Sequence, residues 1–395
     1  MNEQINVLFA FDNYVFAGTE SGRVYRWKVG DDNKQLSDSE GDVQGVTHYA
    51  QKSVVDVAQW HIQPCFIAIS ALNGTRNNRI IYPQSRKPIP CLNLAIGTVS
   101  GDFFLYRGDI LLQHIRIGSF VREICIHRNE FIIGDELGFM YAVTSTGLSW
   151  KKPIANHTPR KEVEKSIKPV RAEPSTAALQ SFRMLDVERT ESAYVAASMG
   201  MSELVLTHQG RICSTIPCSF PIISMCCLTE ENSASDVLLT ATEKGIIYQL
   251  ESKTVSSDSE SKDFQLQLTP FTEVDFLAKK IASVDLIHEL HKRKMYWICL
   301  GIGGNVAFMC ERDVIYQWPS VTPHQSAERV RSLAQVSYQQ KNAVDIFVAL
   351  RNTIIRTKID IDTVLKARAR DLLASSEPQE DDDKVLRVGS QKAAR

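Results

Sequence analysis

The sequence predicts an all-β fold built from seven copies of one small antiparallel unit. Three observations carry this. A hairpin pattern recurs along the chain, a run rich in β-branched and aromatic residues precedes each copy, and good helix formers collect only near the C-terminal end.

The hairpin is clearest in "AGTESGRVYRW" (17–27), "IGTVSGDFFLY" (96–106), "IGDELGFMYAV" (133–143), "TATEKGIIYQL" (240–250) and "LGIGGNVAFMC" (300–310). Weaker copies are "AASMGMSELVL" (196–206) and "ALRNTIIRTKI" (349–359). Gly22, Gly101, Gly138, Gly245 and Asn305 stand where the turn asks for a positive φ, which is cheap only for Gly or Asn. Three residues further on come Tyr25, Phe104, Tyr141, Tyr248 and Phe308, expected to pack each sheet against a neighbour. Val24, Phe103, Met140 and Ile247 alternate with them and are apolar too, as in a sheet buried on both faces.

A further strand is read before each hairpin: "INVLFAFD", "SVVDVAQWH", "VREICIHR", "SFRMLDVE", "IISMCCLT", "IASVDLIHEL" and "VRSLAQVS". Segments such as "DILLQHIRIG" and "RICSTIPCS" offer a fourth. Polar or proline-containing insertions at 72–90, 152–178 and 252–275 make the spacing uneven. Without them the period nears the roughly 40 to 45 residues of a propeller blade. Over residues 5 to 362 the chain therefore resembles a β-propeller of the WD-repeat type, and the resemblance implies a seven-bladed ring. An eighth blade would draw on "CFIAIS" (65–70) and "RIIYPQ" (79–84). The copies are divergent. Trp27-Lys28 stands nearest to the family's Trp-Asp dipeptide and no Gly-His opens a repeat, so the family's buried Asp-His-Ser/Thr-Trp network is not carried over to these residues. The seventh unit shows no fourth strand of its own. The first few residues or "KVLRVG" (384–389) are the candidates to close the ring and remove its exposed edge.

The predicted organisation is a propeller over 1–362, a short helix over 363–376 and a disordered acidic tail over 377–395. In "DTVLKARARDLLASS" (362–376), Asp362 or Thr363 can cap, and Leu365, Ala369, Leu372 and Leu373 fall on one side.

Composition narrows the function. Lys plus Arg number 45 and Asp plus Glu 46, a net charge of -1, so the chain lacks the concentrated positive charge of a general nucleic-acid or anionic-membrane binder. The N-terminus is acidic where a secretory signal would be basic. The longest nearly apolar stretch, Tyr296 to Cys310, is glycine-broken and shorter than the roughly 20 residues of a membrane helix, so no membrane insertion is expected. The nine cysteines, as at Cys125, Cys226 and Cys299, sit in apolar strand-like surroundings. This predicts reduced, buried thiols and a cytoplasmic or nuclear location.

No chemical constellation emerges. The histidines of "HELH" (288–291) are spaced three apart rather than the four of a zincin, and Cys213, Cys218, Cys226 and Cys227 lack paired C-x-x-C spacing. "GIGGN" (301–305) leads into a strand, where a phosphate loop needs a helix. The acidic runs at 36–42 and 256–260 lack the ligand order of a calcium loop, and no G-x-S-x-G occurs. No catalytic residue, metal or cofactor is expected.

The resemblance implies a non-catalytic protein–protein interaction scaffold, a subunit of a multiprotein complex. Its candidate contacts are Arg26 and Trp27, the basic segment 151–171 (Lys151, Lys152, Arg160, Lys161, Lys165, Lys168 and Arg171 against two Glu), and Leu365, Leu372 and Leu373 of the helix. One alternative is an enzyme whose site forms where carboxylates meet in the central channel. Another is nucleic-acid binding through 151–171, which the lack of aromatic residues in that segment disfavours.

Overall fold

In the computed structural model seven four-stranded antiparallel sheets are found among the described residues, with one helix at the C-terminal end, Ile361–Ser376. The structure describes residues 4–376 apart from 12–13, 20–22, 29–45, 51–57, 62–67, 73–92, 99, 108–109, 129, 145, 155–175, 186–190, 230–234, 256–262, 285–294, 320–331, 338–342 and 351–353. The inner strands of the seven sheets are Ile5–Phe11, Ala68–Leu72, Val121–His127, Ala178–Leu185, Ile222–Leu228, Ala278–Val284 and Ser332–Ser337. Each touches the next, and the last touches the first, so the sheets form the blades of a closed ring.

The core lies between blades, because each sheet carries apolar residues on both faces. Phe103 and Leu105 of blade two meet Phe131, Ile133, Tyr141 and Val143 of blade three. On the other face of blade three, Met140 and Ala142 meet Leu179, Val195 and Val205 of blade four. Between blades five and six, Trp297 is fully buried and donates its indole N–H to the Glu311 carbonyl at 2.8 Å.

Within a blade, strands one and three run one way and two and four the other. The turn between strands two and three therefore opens at the same end as the connection to the next blade, here called the upper face. Backbone hydrogen bonds tie the two together: Ile117 N donates to Gly101 O at 2.7 Å, Ile154 N to Gly138 O at 2.8 Å and Val274 N to Gly245 O at 3.0 Å. Gly101, Gly138 and Gly245 have φ of 81, 76 and 83°, as the repeat predicts. At Gly245 a Cβ would also lie 2.5 Å from the Phe276 carbonyl oxygen. Gly245→Ala is expected to cost about 2 to 3 kcal/mol, measurable as a lower urea midpoint at unchanged slope. A loss under about 0.5 kcal/mol would contradict this turn geometry.

Several expectations change. In the sixth unit Gly304, with φ 90°, takes the turn position expected for Asn305, which instead begins the strand. The turn is one residue out of step, and in a strand such a shift exchanges the two faces. Phe308 consequently packs toward blade seven with Ile346 and Val348, while Ala307 takes the face that Tyr141 occupies in its own blade.

"SVVDVAQWH" is not the inner strand of the second unit. Its Ala58–His61 is the outer strand of blade one, and "CFIAIS" leads into the inner strand of blade two, Ala68–Leu72, instead of an extra blade. "RIIYPQ" lies outside the described residues. The insertion at 252–275 is mostly sheet: strand Ile246–Val255 pairs with Asp263–Glu273, the outer strand of blade five. Most of the insertions at 72–90 and 152–178 falls outside the described residues, as does the tail from 377.

The ring is closed by neither predicted segment. Val46–Ala50, which lies in sequence between the third and fourth strands of blade one, pairs with Ile354–Asp360 as the outer strand of blade seven, in the register Thr357 to His48. The first residues of the chain form the inner strand of blade one, and 384–389 lies outside the described residues.

The C-terminal helix begins at Ile361 and packs back onto the ring. Ile361 and Val364 are buried in the core between blades six and seven, and Leu365 packs against it half-buried. Ala369, expected on the apolar side, is exposed. Asp360 caps the helix, its carboxylate accepting the Thr363 N–H at 3.0 Å.

Candidate functional site

The upper face is built from the third residue of each hairpin copy. Thr19, Thr98, Asp135, Ser198 and Thr242 are all fully buried, and each carries a side-chain oxygen at the turn. Thr98 Oγ1 accepts the Asp102 N–H at 2.9 Å, and the Ser198 hydroxyl donates to the Ile222 carbonyl at 2.9 Å. Sequence reasoning missed this column, although its signal is visible as Thr, Thr, Asp, Ser, Thr in aligned copies. Such a residue satisfies buried turn groups that water does not reach. Blade six is the exception. Gly301 holds the position, and its missing side chain makes room for the Phe276 ring, which a Cβ would meet at 2.7 Å.

Asp135 is the most elaborate of these. One carboxylate oxygen accepts the backbone N–H of Leu137 at 3.0 Å and of Phe139 at 2.7 Å. The other accepts the hydroxyl of Tyr141 at 2.8 Å and that of Ser119, from the connection between blades two and three. The turn is thus held from both sides, and at its tip stands Leu137, 56% exposed. Next to it Glu136 N donates to the Phe120 carbonyl at 2.9 Å, while Phe120 N donates to the Glu136 carboxylate at 3.3 Å. The exposed Arg122 lays its guanidinium over the Phe120 ring, 4.3 Å from its centre. Arg122 is the extra residue of a β-bulge between Val121 and Glu123, a device that re-aims a side chain.

Lys151 and Lys152, predicted within the basic segment, lie in strand Gly147–Pro153, the outer strand of blade three. The exposed Lys151 holds its ammonium 4.5 Å above the Phe139 ring, beside Tyr141. Arg160, Lys161, Lys165, Lys168 and Arg171 lie outside the described residues, but the ends of that stretch do not. Ile154 N is bonded to Gly138 O and Thr176 N to Asp135 O at 3.1 Å, so the segment leaves and re-enters the ring at the Asp135 turn. Gly134 has no Cβ where one would lie 2.4 Å from the Thr176 side chain. Arg26 and Trp27 are in the third strand of blade one, paired with Phe16 and Val15, and their side chains lie outside the described ones. The same holds for the side chains of Leu372 and Leu373 in the last turn of the helix.

Further large apolar side chains are exposed on the upper face. Met201 is in the blade-four turn, Leu277 in the connection into blade six and Ile302 in the blade-six turn. Leu277 and Ile302 are joined by a hydrogen bond from Ile302 N to Leu277 O at 2.9 Å. Three others, Leu111, Leu112 and Leu148, are on the outer strands of blades two and three.

Inside the ring, burial pushes the Glu123 carboxyl of blade three up to about 7, partly offset by the charge of Lys280. Lys280 is on the inner strand of blade six, which is not a neighbour of blade three, so the two meet across the central channel. Among the described residues no group of three or more His, Cys, Asp or Glu is placed to hold a metal ion. "HELH" lies outside them. Cys125, Cys226, Cys299 and Cys310 are buried and free, Cys218 and Cys227 half-buried, and Cys213 exposed. Burial pushes the Cys125 and Cys299 thiols up to about 12, which keeps them protonated and unreactive. No helix among the described residues is long and apolar enough to cross a membrane.

On the lower side between blades three and four, His127 is 5% exposed and its Nδ1 lies 3.0 Å from the Ser181 hydroxyl. Burial, then the charges of Arg128 and His208, pull its imidazole down to about 4 from an ordinary value of 6.5. The unfolded chain therefore takes up a proton that the folded one refuses. The stability tied to a neutral His127 is complete above pH 6.5 and is lost as pH falls toward 4, by about 2 kcal/mol at pH 5. Denaturant titrations of the protein and of His127→Gln at pH 7 and 5 should show a smaller pH loss in the variant. Equal losses would assign the acid sensitivity elsewhere.

No protein-family model and no curated protein sequence matches this chain. Solved structures do resemble it. BBS1N, crystallised in complex with ARL6DN, superposes with a TM-score of 0.53 at 9% identity, covering 88% of this chain and 87% of that one. The β-propeller domain of Myceliophteria thermophila Cps50 (Swd1) gives 0.53 at 11% identity, covering 91% and 97%. The WD40 propeller domain of Doa1 also gives 0.53 at 11%, covering 90% and 93%. At these identities the likeness is one of fold, and it agrees with the closed ring of blades.

Proposed function

We propose that the protein is a non-catalytic interaction platform, a subunit of a multiprotein complex that docks its partners on the upper face. One observation carries the reading: Leu137, Met201, Leu277 and Ile302, from three turns and one inter-blade connection, all expose large apolar side chains on that face. Burying them in water-free contact with another protein is favourable, whereas leaving them exposed brings the ring nothing. The turns beneath are held by buried oxygens, so little conformational freedom is lost on docking. That BBS1N was crystallised with ARL6DN bound supports a propeller of this outline serving as a docking body. Protonated, mostly buried thiols suit a reducing cytoplasmic or nuclear compartment.

The test is affinity purification from the native cell of three forms: the full chain, a Leu137→Asp/Met201→Asp/Ile302→Asp variant, and a truncation after Lys366. The truncation keeps the buried Ile361 and Val364 and removes Leu372 and Leu373. Partners lost only from the triple variant support the upper face, and partners lost only on truncation would move the site to the helix end. Partners kept by both variants would defeat the reading.

A further inference from the structure

We propose that the Leu137 corner of the upper face binds an acidic peptide segment carrying one large apolar anchor residue. The inference rests on the upper-face reading and names the chemistry of its partner at blade three. The anchor site is preformed. Two backbone N–H groups and two hydroxyls converge on the Asp135 carboxylate and hold the turn, leaving Leu137 exposed at its tip beside Phe120. A rigid apolar projection of this kind costs little entropy to bury.

Charge decides what surrounds the anchor. Arg116, Arg122 and Lys151 are exposed around this corner. The carboxylates nearby already have donors: Glu136 takes the Phe120 N–H, while Asp102 takes the Ser100 hydroxyl at 2.7 Å and a ring nitrogen of His114 at 3.0 Å. What faces a partner is therefore a surplus of cations around an apolar point. Carboxylates on a partner match it, and basic or purely apolar segments do not. A nucleic acid strand would set phosphates against Leu137 and finds Phe120 already covered by Arg122.

A phage-displayed library of random peptides, selected on the full-length folded protein, supplies the probe. Synthetic copies of the enriched peptides are then titrated by fluorescence polarisation against the protein and four variants. Leu137→Asp and Arg122→Glu alter the corner, Met201→Asp alters another part of the upper face, and Leu148→Asp alters an outer strand. All four positions are exposed, and thermal melts check that each variant folds. The expected result is acidic peptides with a conserved large apolar residue. Their affinity falls roughly tenfold in Leu137→Asp and in Arg122→Glu, is unchanged in Leu148→Asp, and weakens with added salt. Peptides that need Leu137 but are neutral or basic would overturn the chemistry and leave the upper face standing. Acidic peptides indifferent to Leu137 and Arg122 would overturn the corner, and indifference to Met201 as well would count against the upper face. A failure to enrich any peptide, or displacement of the peptides by single-stranded oligonucleotides, would also overturn the proposal.

Discussion

Asp135→Ala is expected to lower the stability of the protein by about 3 to 5 kcal/mol and to abolish binding at the blade-three turn. The carboxylate is fully buried and accepts from the Leu137 and Phe139 backbone and from the Ser119 and Tyr141 hydroxyls. Truncation strands donors that water does not reach, each at about 1 to 3 kcal/mol, with partial relief as the turn relaxes. Asp135→Asn keeps the shape but turns an amide N–H₂ toward groups that themselves donate, so it should fall between Ala and the original residue. Tyr141→Phe removes one bond of the set and should cost only about 1 kcal/mol. Urea titrations of the three variants would give this order. If Asp135→Ala cost less than Tyr141→Phe, the carboxylate would not be the centre of the turn. The peptide assay separates the consequences, because Asp135→Ala should weaken binding through a Leu137 that is intact but no longer held.

Breaking the strand that closes the ring is expected to have a comparable effect. In Val46–Ala50, prolines at both His48 and Tyr49 remove the N–H at two successive positions, one of which must point toward the neighbouring strand Ile354–Asp360. The cost should be about 3 kcal/mol or more, because the edge of blade seven is opened as well as a hydrogen bond lost. The opposite manipulation should stabilise. His48 and Thr357 stand directly opposite each other in the register. Their Cα separation in an antiparallel pair suits a disulfide. His48→Cys/Thr357→Cys, oxidised, should gain about 2 to 5 kcal/mol, since the bond closes most of the chain into one loop. If the prolines were harmless and the cysteines failed to join, another segment would be closing the ring.

The difference between the turn and the closure shows what was legible in the sequence. Hairpins were legible because their determinants are local: a glycine that tolerates positive φ, and apolar residues at a two-residue period on either side. Even Asp135 belongs to a column that aligned copies display. Phe308 was misplaced because the turn before it is out of step by one residue, which the aligned copies did not register. Closure was illegible for another reason. The strand Val46–Ala50 carries no mark of its partner, which stands some three hundred residues away in sequence.

The candidate site divides in the same way. Lys151 and the basic run after it were visible as a charge cluster, but their return to the Asp135 turn depends on hydrogen bonds from Ile154 and Thr176. Leu137 looked like any apolar residue in a turn. Only the folded ring shows that the turns and inter-blade connections open on one face, and that Met201, Leu277 and Ile302 are exposed there with it. The sequence by itself determined the strand units, their turn chemistry and the helical C-terminal segment, since these follow from forces acting within a few residues. The tertiary structure decided which strand closes the ring, which face of each strand is buried and which side chains converge at blade three, because those depend on contacts between residues far apart in the chain.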